Sequence, residues 1–278
     1  MGKLGIERYY EEQLHGTTGF EEVEINNRGK VIRKLREQPA TAGKSIHLTI
    51  DFTLQRYIMS LLSGQKGAVV VLDPKDNSVL AMVSTPSYDN NLFVDGISSS
   101  DYKRLLEDPT RPLYSRATQG VYPPASTVKP FVAVAALTEG VITPNTTIFD
   151  PGYWTLPNST KRFRDWKKTG HGYTDLNKAI TESSDTFFYQ TAFNLGIDRF
   201  SMWMKRFGFG MPTGIEIQEE ATANMPSKEW KQKRYKKPWV QGVTISVGAV
   251  SYTHLRAHEK ELHLVCRLLL EKKKGGGG

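Results

Sequence analysis

The chain has 278 residues, of which 38% are hydrophobic and 10% aromatic, so it can bury the core of one large domain or two modest ones. Its formal net charge is +8, but no nucleic-acid-binding signature accompanies the basic residues, and we expect no nucleic-acid partner. The single cysteine, Cys266, excludes an intrachain disulfide. No apolar run is long enough to span a bilayer, and residues 2–19 do not form a signal peptide.

The first 43 residues contain two short predicted elements. Residues 4–14 have the pattern of a short amphipathic helix. Residues 20–36 alternate around the turn Asn26-Asn27-Arg28-Gly29, which predicts a β-hairpin. The segment from Pro39 to Gly43 resembles a linker and marks our predicted domain boundary.

After this boundary, the pattern predicts an antiparallel sheet with a helix before it. Residues 46–51 alternate like a strand, and a helix is expected over residues 53–62. The continuous apolar run of residues 67–72 is typical of a strand buried on both faces, and residues 78–84 return as a second strand. Because no parallel βαβ repeat is visible, we predict an α+β fold in which helices flank an antiparallel sheet.

The remaining predicted elements are mostly helical. A short helix is expected over residues 101–106, and residues 152–172 are polar and aromatic and are predicted to be irregular. Three further helices are expected over residues 176–179, 186–195 and 200–207.

Ser126 and Lys129 form the first candidate site. Ser126 stands where an apolar helical run begins, and Lys129 is three residues later, so their side chains share one helix face. A serine needs a base nearby to act as a nucleophile, and a lysine with a lowered pKa can supply it. The helix N-terminus and burial are both expected to lower that pKa. Taken alone, this pair favours a simpler interpretation, a serine N-cap followed by a surface lysine one turn later.

A second polar cluster, Ser183-Ser184-Asp185, precedes the helix predicted over residues 186–195. One interpretation is an N-cap with an acidic residue at the positive end of the helix. The other is a functional hydroxyl and carboxylate facing Ser126. In that case Ser183 relays a proton and Asp185 holds Lys129 or a substrate amide.

These motifs and their flanking segments resemble class B penicillin-binding proteins of the elongation type. Ser126-x-x-Lys129 followed by a Ser-x-Asn-like triplet is similar to the first two motifs of penicillin-interacting serine enzymes. The resemblance runs from about Gly5 to Gly248 in the same order along the chain. It rests on several separate segments, namely residues 46–51, 67–74, 84–89, 120–124, 164–167 and 182–190.

The resemblance implies a penicillin-binding-protein/β-lactamase-like transpeptidase fold, with an antiparallel sheet flanked by helices and an all-α subdomain, incomplete at its C-terminus. It also implies a role for each motif residue. Ser126 is expected to be the acylated nucleophile and Lys129 its general base, with Ser183 and Asp185 as the second motif. Asp185 replaces the more common Asn of the family. The implied reaction is D,D-transpeptidation of peptidoglycan stem peptides ending in D-Ala-D-Ala, and β-lactams acylate the same serine. No cofactor and no metal are implied.

The resemblance also implies a domain organisation and a location. Residues 1–43 are expected to end a pedestal or dimerisation-like region, and residues 44–248 to form a truncated transpeptidase domain. We expect the periplasmic face of the bacterial inner membrane, with the anchor upstream of Met1. The full-length protein is expected to work with a membrane glycosyltransferase and elongation-complex proteins.

The third family motif, Lys-Thr/Ser-Gly, is not found where the family has it. Lys168-Thr169-Gly170 precedes Ser183, so we interpret it as a decoy, meaning a motif match without the motif's function. Ser87-Tyr88-Asp89 is a second decoy. Residues 249–278 are interpreted as a non-native tail, where His254 and His258 are not expected to bind zinc.

Without the third motif, this chain is expected to be a weak or inactive enzyme. Two other functions remain open from the sequence. One is a carboxypeptidase or β-lactamase-type hydrolase, in which water resolves the acyl-enzyme. The other is a non-catalytic penicillin-binding sensor module. The basic run from Lys228 to Lys237 is interpreted as a solvated surface.

Overall fold

The computed structural model describes residues 2–94, 96–122, 124–157, 159–222 and 224–240. Backbone contacts divide the chain into unit 1, Met1–Gly120 with Gly214–Ala221, and unit 2, Val121–Thr213 with Thr222–Gly278. This division does not test the domain boundaries predicted from the sequence, which remain predictions. No helix in the described part of the chain is both long and apolar enough to cross a membrane.

Unit 1 begins with two short helices and a hairpin. Helices α1 (Gly5–Tyr9) and α2 (Glu11–Leu14) meet at Tyr10, so the prediction of one continuous helix over residues 4–14 is wrong. The non-helical backbone of Tyr10, with ψ near 18°, separates them. Strands β1 (Phe20–Ile25) and β2 (Val31–Gln38) pair antiparallel, which confirms the predicted hairpin.

A helix and a second hairpin complete the regular core of unit 1. Helix α3 (Phe52–Leu61) is capped by Asp51, whose carboxylate accepts the backbone N–H of Leu54. Strands β3 (Gly67–Leu72) and β4 (Val79–Thr85) pair antiparallel, as predicted. Ile58 of α3 packs on the sheet, together with Ala81 and Val83 of β4.

Two expectations for this region are wrong. Residues 46–51 do not form a strand; they run beside β4 through only a few bonds, from Thr49 Oγ1 to the Val79 carbonyl and from the Asp51 N–H to the Leu80 carbonyl. β3 is not buried on both faces, since its residues alternate between half-buried and exposed and Val70 is 45% exposed. An apolar run shows that a segment is suited to a strand, but not how many of its faces are covered.

After β4, unit 1 continues with a 3₁₀ turn (Asn90–Phe93) and helix α4 (Ser99–Glu107), which matches the predicted short helix. Ser98 caps α4 by accepting the Asp101 N–H.

Unit 2 contains four short strands and four helices among its described residues. A 3₁₀ turn (Ala125–Val128) leads into helix α5 (Lys129–Thr138). The strands are β5 (Ile148–Asp150), β6 (Tyr153–Thr155), β7 (Arg162–Arg164) and β8 (Gly172–Thr174), with β5 paired to β8 and β6 to β7. The other helices are α6 (Leu176–Thr181), α7 (Asp185–Arg206) and α8 (Lys228–Tyr235).

The expectation that residues 152–172 are irregular is therefore wrong, because β6, β7 and the start of β8 lie there. The two predicted helices over residues 186–195 and 200–207 are the two halves of α7. They meet at Gly196, whose φ of 75° and ψ of 159° are compatible only with glycine.

The core of unit 2 lies between α5 and α7. Val132 and Ala136 of α5 are fully buried, as are Phe187 and Phe188 of α7. Since apolar contacts cluster along these two helices, burial fixes one against the other. Their first residues, Lys129 and Asp185, thereby come together although they are 56 positions apart in the chain.

Candidate active site

Ser126 lies in the 3₁₀ turn directly before α5, and Lys129 is the first residue of α5. The sequence predicted a single helix from Ser126, whereas the structure has a tighter first turn. In a 3₁₀ turn, residues three apart are eclipsed. Ser126 and Lys129 therefore lie on one side, as predicted.

The Lys129 ammonium group is buried, with 2% of the residue exposed, and its hydrogen bonds all go to the second motif. Nζ donates to the Ser183 carbonyl at 2.8 Å, to Ser183 Oγ at 3.0 Å and to Asp185 Oδ1 at 2.6 Å. An ammonium group has three donors, and each of them has an acceptor here.

Ser183 links the two motifs. Its Oγ lies 3.0 Å from Ser126 Oγ and 3.0 Å from Lys129 Nζ. The backbone of Ser183 has a φ of 55°, a left-handed conformation that costs a non-glycine residue on the order of 1–3 kcal/mol. The bonds from Lys129 to both its carbonyl and its hydroxyl hold it in this conformation. The result is a continuous chain of polar groups, Ser126–Ser183–Lys129–Asp185.

Asp185 is the buried counter-ion of Lys129. Burial raises the pKa of its carboxyl group, while the Lys129 ammonium and the Trp166 backbone N–H oppose this rise. Lys129 Nζ also contacts Ser183 Oγ, so the amine lies within reach of the proton that a serine hydroxyl gives up.

A second buried network supports the turn that carries Ser183. Asp165 Oδ2 accepts the Thr186 N–H at 2.9 Å, and Ser184 Oγ donates to Asp150 Oδ2 at 2.9 Å. His171 lies between two carboxylates, with Nε2 3.2 Å from Asp165 Oδ1 and Nδ1 2.6 Å from Glu182 Oε2. The backbone around the second motif is therefore fixed from both sides.

The sequence did not predict this network. Asp150, Asp165 and His171 each lie at or next to the end of a short strand, β5, β7 and β8 respectively. The nearest sequence signal was polar residues flanking Phe149, Phe163 and Tyr173, but three-residue strands are too short for alternation to be recognised.

Asp150, Asp165 and His171 are also the group with metal-ligand geometry within the described ranges. One ligand atom from each lies within 4.8 Å of the others. Two of these groups, His171 and Asp165, contact each other through Nε2 and Oδ1. The Gly152 N–H donates to Asp150 and the Lys167 N–H to Asp165.

We expect the network to contribute stability that depends on pH. Burial alone raises the pKa of Asp165. The backbone N–H groups of Thr186 and Lys167, together with the side chains of Asp150 and His171, outweigh this effect, so the net pKa is lowered. The contribution is thus present above the unfolded value of about 3.9 and is lost as the pH falls through the lower folded value.

Asp165→Asn is therefore expected to lower the free energy of unfolding by about 1–3 kcal/mol at pH 7. The deficit relative to the wild type should shrink at pH 3. Denaturant unfolding at both pH values measures this, with the exposed Asp89→Asn as the control. A deficit of equal size at both pH values would contradict the assignment.

Neither decoy has the setting that its motif requires. Lys168-Thr169-Gly170 forms a turn between β7 and β8 and not a strand. Ser87 lies in a loop of unit 1, and Asp89 accepts the Asn91 N–H at the start of a 3₁₀ turn. The predicted tail of residues 249–278, with His254 and His258, lies outside the described residues. The prediction that the third motif is absent also concerns this part of the chain.

Comparison with known families agrees with this geometry. The family description "Penicillin binding protein transpeptidase domain" matches residues 67–256, and "Penicillin-binding Protein dimerisation domain" matches residues 1–48. The chain is 85% identical over 248 residues to the peptidoglycan D,D-transpeptidase MrdA of Haemophilus influenzae, which covers 89% of this chain and 38% of that protein. The chain thus spans about two fifths of that relative's length.

Solved structures of PBP2 proteins superpose on this chain. Pseudomonas aeruginosa PBP2 in complex with WCK 5153 superposes with a TM-score of 0.79 at 45% identity, covering 89% of this chain and 52% of that one. Helicobacter pylori PBP2 in complex with MreC superposes with a TM-score of 0.78 at 34% identity, covering 89% and 46%. The predicted α+β transpeptidase fold is confirmed. The chain belongs to the penicillin-binding protein transpeptidase family, among the class B members of the PBP2/MrdA type.

Proposed function

We propose that this chain carries the acyl-transfer site of a peptidoglycan D,D-transpeptidase of cell-wall elongation. The observation that supports it most is the polar chain from Ser126 through Ser183 and Lys129 to Asp185. It connects a hydroxyl at the start of a helix to a buried amine, as nucleophilic catalysis by serine requires.

In the proposed acylation step, Ser126 Oγ attacks the carbonyl carbon of the penultimate D-Ala. A C–O bond forms and the amide C–N bond breaks. The Ser126 proton passes to Lys129, directly or through Ser183, and then to the leaving nitrogen of the terminal D-Ala. Asp185 stabilises the ammonium form of Lys129 during this transfer.

In the second step, an amine of a neighbouring stem peptide attacks the Ser126 ester. Its nitrogen forms the new amide bond, and the C–O bond to Ser126 breaks. The amine gives its proton to the same Ser183–Lys129 pair, which returns a proton to Ser126 Oγ. The site is thereby restored with no net change in its protons.

We further propose that the full-length protein acts at the periplasmic face of the inner membrane. It is held there by an anchor and works with a membrane glycosyltransferase and elongation-complex proteins. The support is the similarity to PBP2 proteins, one of which was solved with MreC. β-Lactams are proposed to acylate Ser126.

Product analysis distinguishes the proposed function from its alternatives. The full-length protein is incubated with a donor peptide ending in D-Ala-D-Ala and with an acceptor amine, and the products are identified by mass spectrometry. A transpeptidase gives the amide of donor and acceptor. A product formed only with water indicates a hydrolase, and a persistent acyl-enzyme without product indicates a sensor; either result would contradict the proposal.

A further inference from the structure

A basic segment, defined here as residues 161–168, lies beside the second motif. It contains five cationic side chains and the exposed Trp166, and its acidic residue, Asp165, is buried. The cationic residues are Lys161, Arg162, Arg164, Lys167 and Lys168.

The two arginines of β7 point away from the core. Phe163, between them, faces inward and packs against Trp154 and Tyr189. Since side chains alternate along a strand, Arg162 and Arg164 lie on the opposite face, where the Arg162 guanidinium stacks over the Tyr153 ring at 4.4 Å. In the described parts of the chain, neither arginine has a carboxylate within 4.0 Å, nor has Lys168. Lys167 is 3.8 Å from Glu182.

Trp166 fixes this segment to the candidate active site. Its indole Nε1 donates to the Glu182 carbonyl at 3.1 Å. Trp166 is nonetheless 64% exposed. A large aromatic ring that is both rigid and exposed is suited to contact a ligand, because little conformational entropy is lost on binding.

The segment is within reach of a bound substrate. The path from Trp166 Nε1 through the Glu182 carbonyl and Ser183 to Ser126 Oγ is about 13 Å long when followed bond by bond. The direct distance between the two ends is no longer than this. An extended peptide covers about 3.3–3.6 Å per residue, so roughly four residues span this path. A peptide acylated at Ser126 therefore extends far enough to contact Trp166, which the cationic residues of the segment flank in the chain.

We propose that the basic segment binds the carboxylates of the donor peptide while Trp166 packs against its aliphatic groups, so that the site prefers acidic peptides. This inference rests on the proposed function, since the ligand is the donor of that reaction. The charge of the segment selects the ligand, and the bond from Trp166 to the Glu182 carbonyl, next to Ser183, aligns the ligand with Ser126.

The test uses the full-length protein with Ser126→Ala, so that binding is measured without reaction. The probes are two synthetic peptides ending in D-Ala-D-Ala that differ only in having free or amidated side-chain carboxylates. Calorimetry measures Kd for each. A triple variant, Arg162→Gln/Arg164→Gln/Lys168→Gln, is expected to bind the carboxylate peptide about tenfold more weakly, with a smaller dependence on salt. Its Kd for the amidated peptide should not change.

The matched control is Lys231→Gln/Lys233→Gln/Arg234→Gln, which removes equal charge from α8 and should leave both Kd values unchanged. Equal weakening for both peptides, or by both triple variants, would overturn the proposal. So would unchanged peptide binding together with lost binding to anionic lipid vesicles, which indicates a membrane contact. β-Lactam labelling of the protein with Ser126 intact is a separate readout of the proposed function, so the two ideas fail independently.

Discussion

Replacing Lys129 by alanine in the full-length protein is expected to slow β-lactam acylation by roughly 10²- to 10⁴-fold, the range that general bases contribute. The structure gives the reason, because Lys129 Nζ is the amine in hydrogen-bond contact with Ser183 Oγ, which in turn contacts Ser126 Oγ. Rapid-mixing measurement of labelled-penicillin incorporation gives the rate constant.

The same change is expected to lower the free energy of unfolding by about 3–5 kcal/mol, because it leaves Asp185 buried without its counter-charge. Lys233→Ala is the matched control, since Lys233 is an exposed lysine of α8. It should leave both quantities unchanged. If Lys129→Ala acylated at the wild-type rate, or Lys233→Ala failed to do so, the assignment of the base would be wrong.

Two substitutions at Asp185 are expected to have very different effects. Asp185→Ala removes the carboxylate that accepts from the Lys129 ammonium, leaving a buried charge unpaired. We expect the free energy of unfolding to fall by about 3–5 kcal/mol and acylation to be slower than in the wild type. Asp185→Asn keeps an oxygen acceptor, so the free energy of unfolding should fall by only about 1 kcal/mol. The acylation rate should stay within about tenfold of the wild-type rate.

Thermal unfolding and penicillin labelling of the two Asp185 variants measure this difference. Asp175→Ala, which removes an exposed helix cap, controls for the loss of a carboxylate alone and should cost about 1 kcal/mol without slowing acylation. Equal damage from Asp185→Asn and Asp185→Ala would show that the negative charge is required, and not merely a hydrogen-bond acceptor.

Much of the fold could be predicted where a pattern of apolar residues extends over many positions of the sequence. The hairpins β1–β2 and β3–β4, and helices α3, α4 and α7, follow from alternation or helical periodicity over several residues. The strand predicted at residues 46–51 was wrong, because alternation describes which side chains are apolar and not whether the backbone finds a regular partner. The exposed face of β3 was not predicted for a related reason, because the burial of a strand face depends on the elements that pack against it.

The candidate site was predictable in part. The spacing of Ser126 and Lys129, and the position of Ser183 and Asp185 before an apolar helix, were sufficient to select these four residues. The structure brings them together, while their catalytic roles stay predictions. Asp150, Asp165 and His171 were not predictable as a group, because only the pairing of very short strands brings them into contact.

The central claim is that Ser126 is the nucleophile, and identifying the acylated residue tests it most directly. The full-length protein is treated with a labelled penicillin, digested, and analysed by peptide mass spectrometry. We expect one adduct, on the peptide containing Ser126, which Ser126→Ala abolishes and the decoy variant Ser87→Ala retains. An adduct on Ser183 or Ser87, or undiminished labelling of Ser126→Ala, would contradict the account.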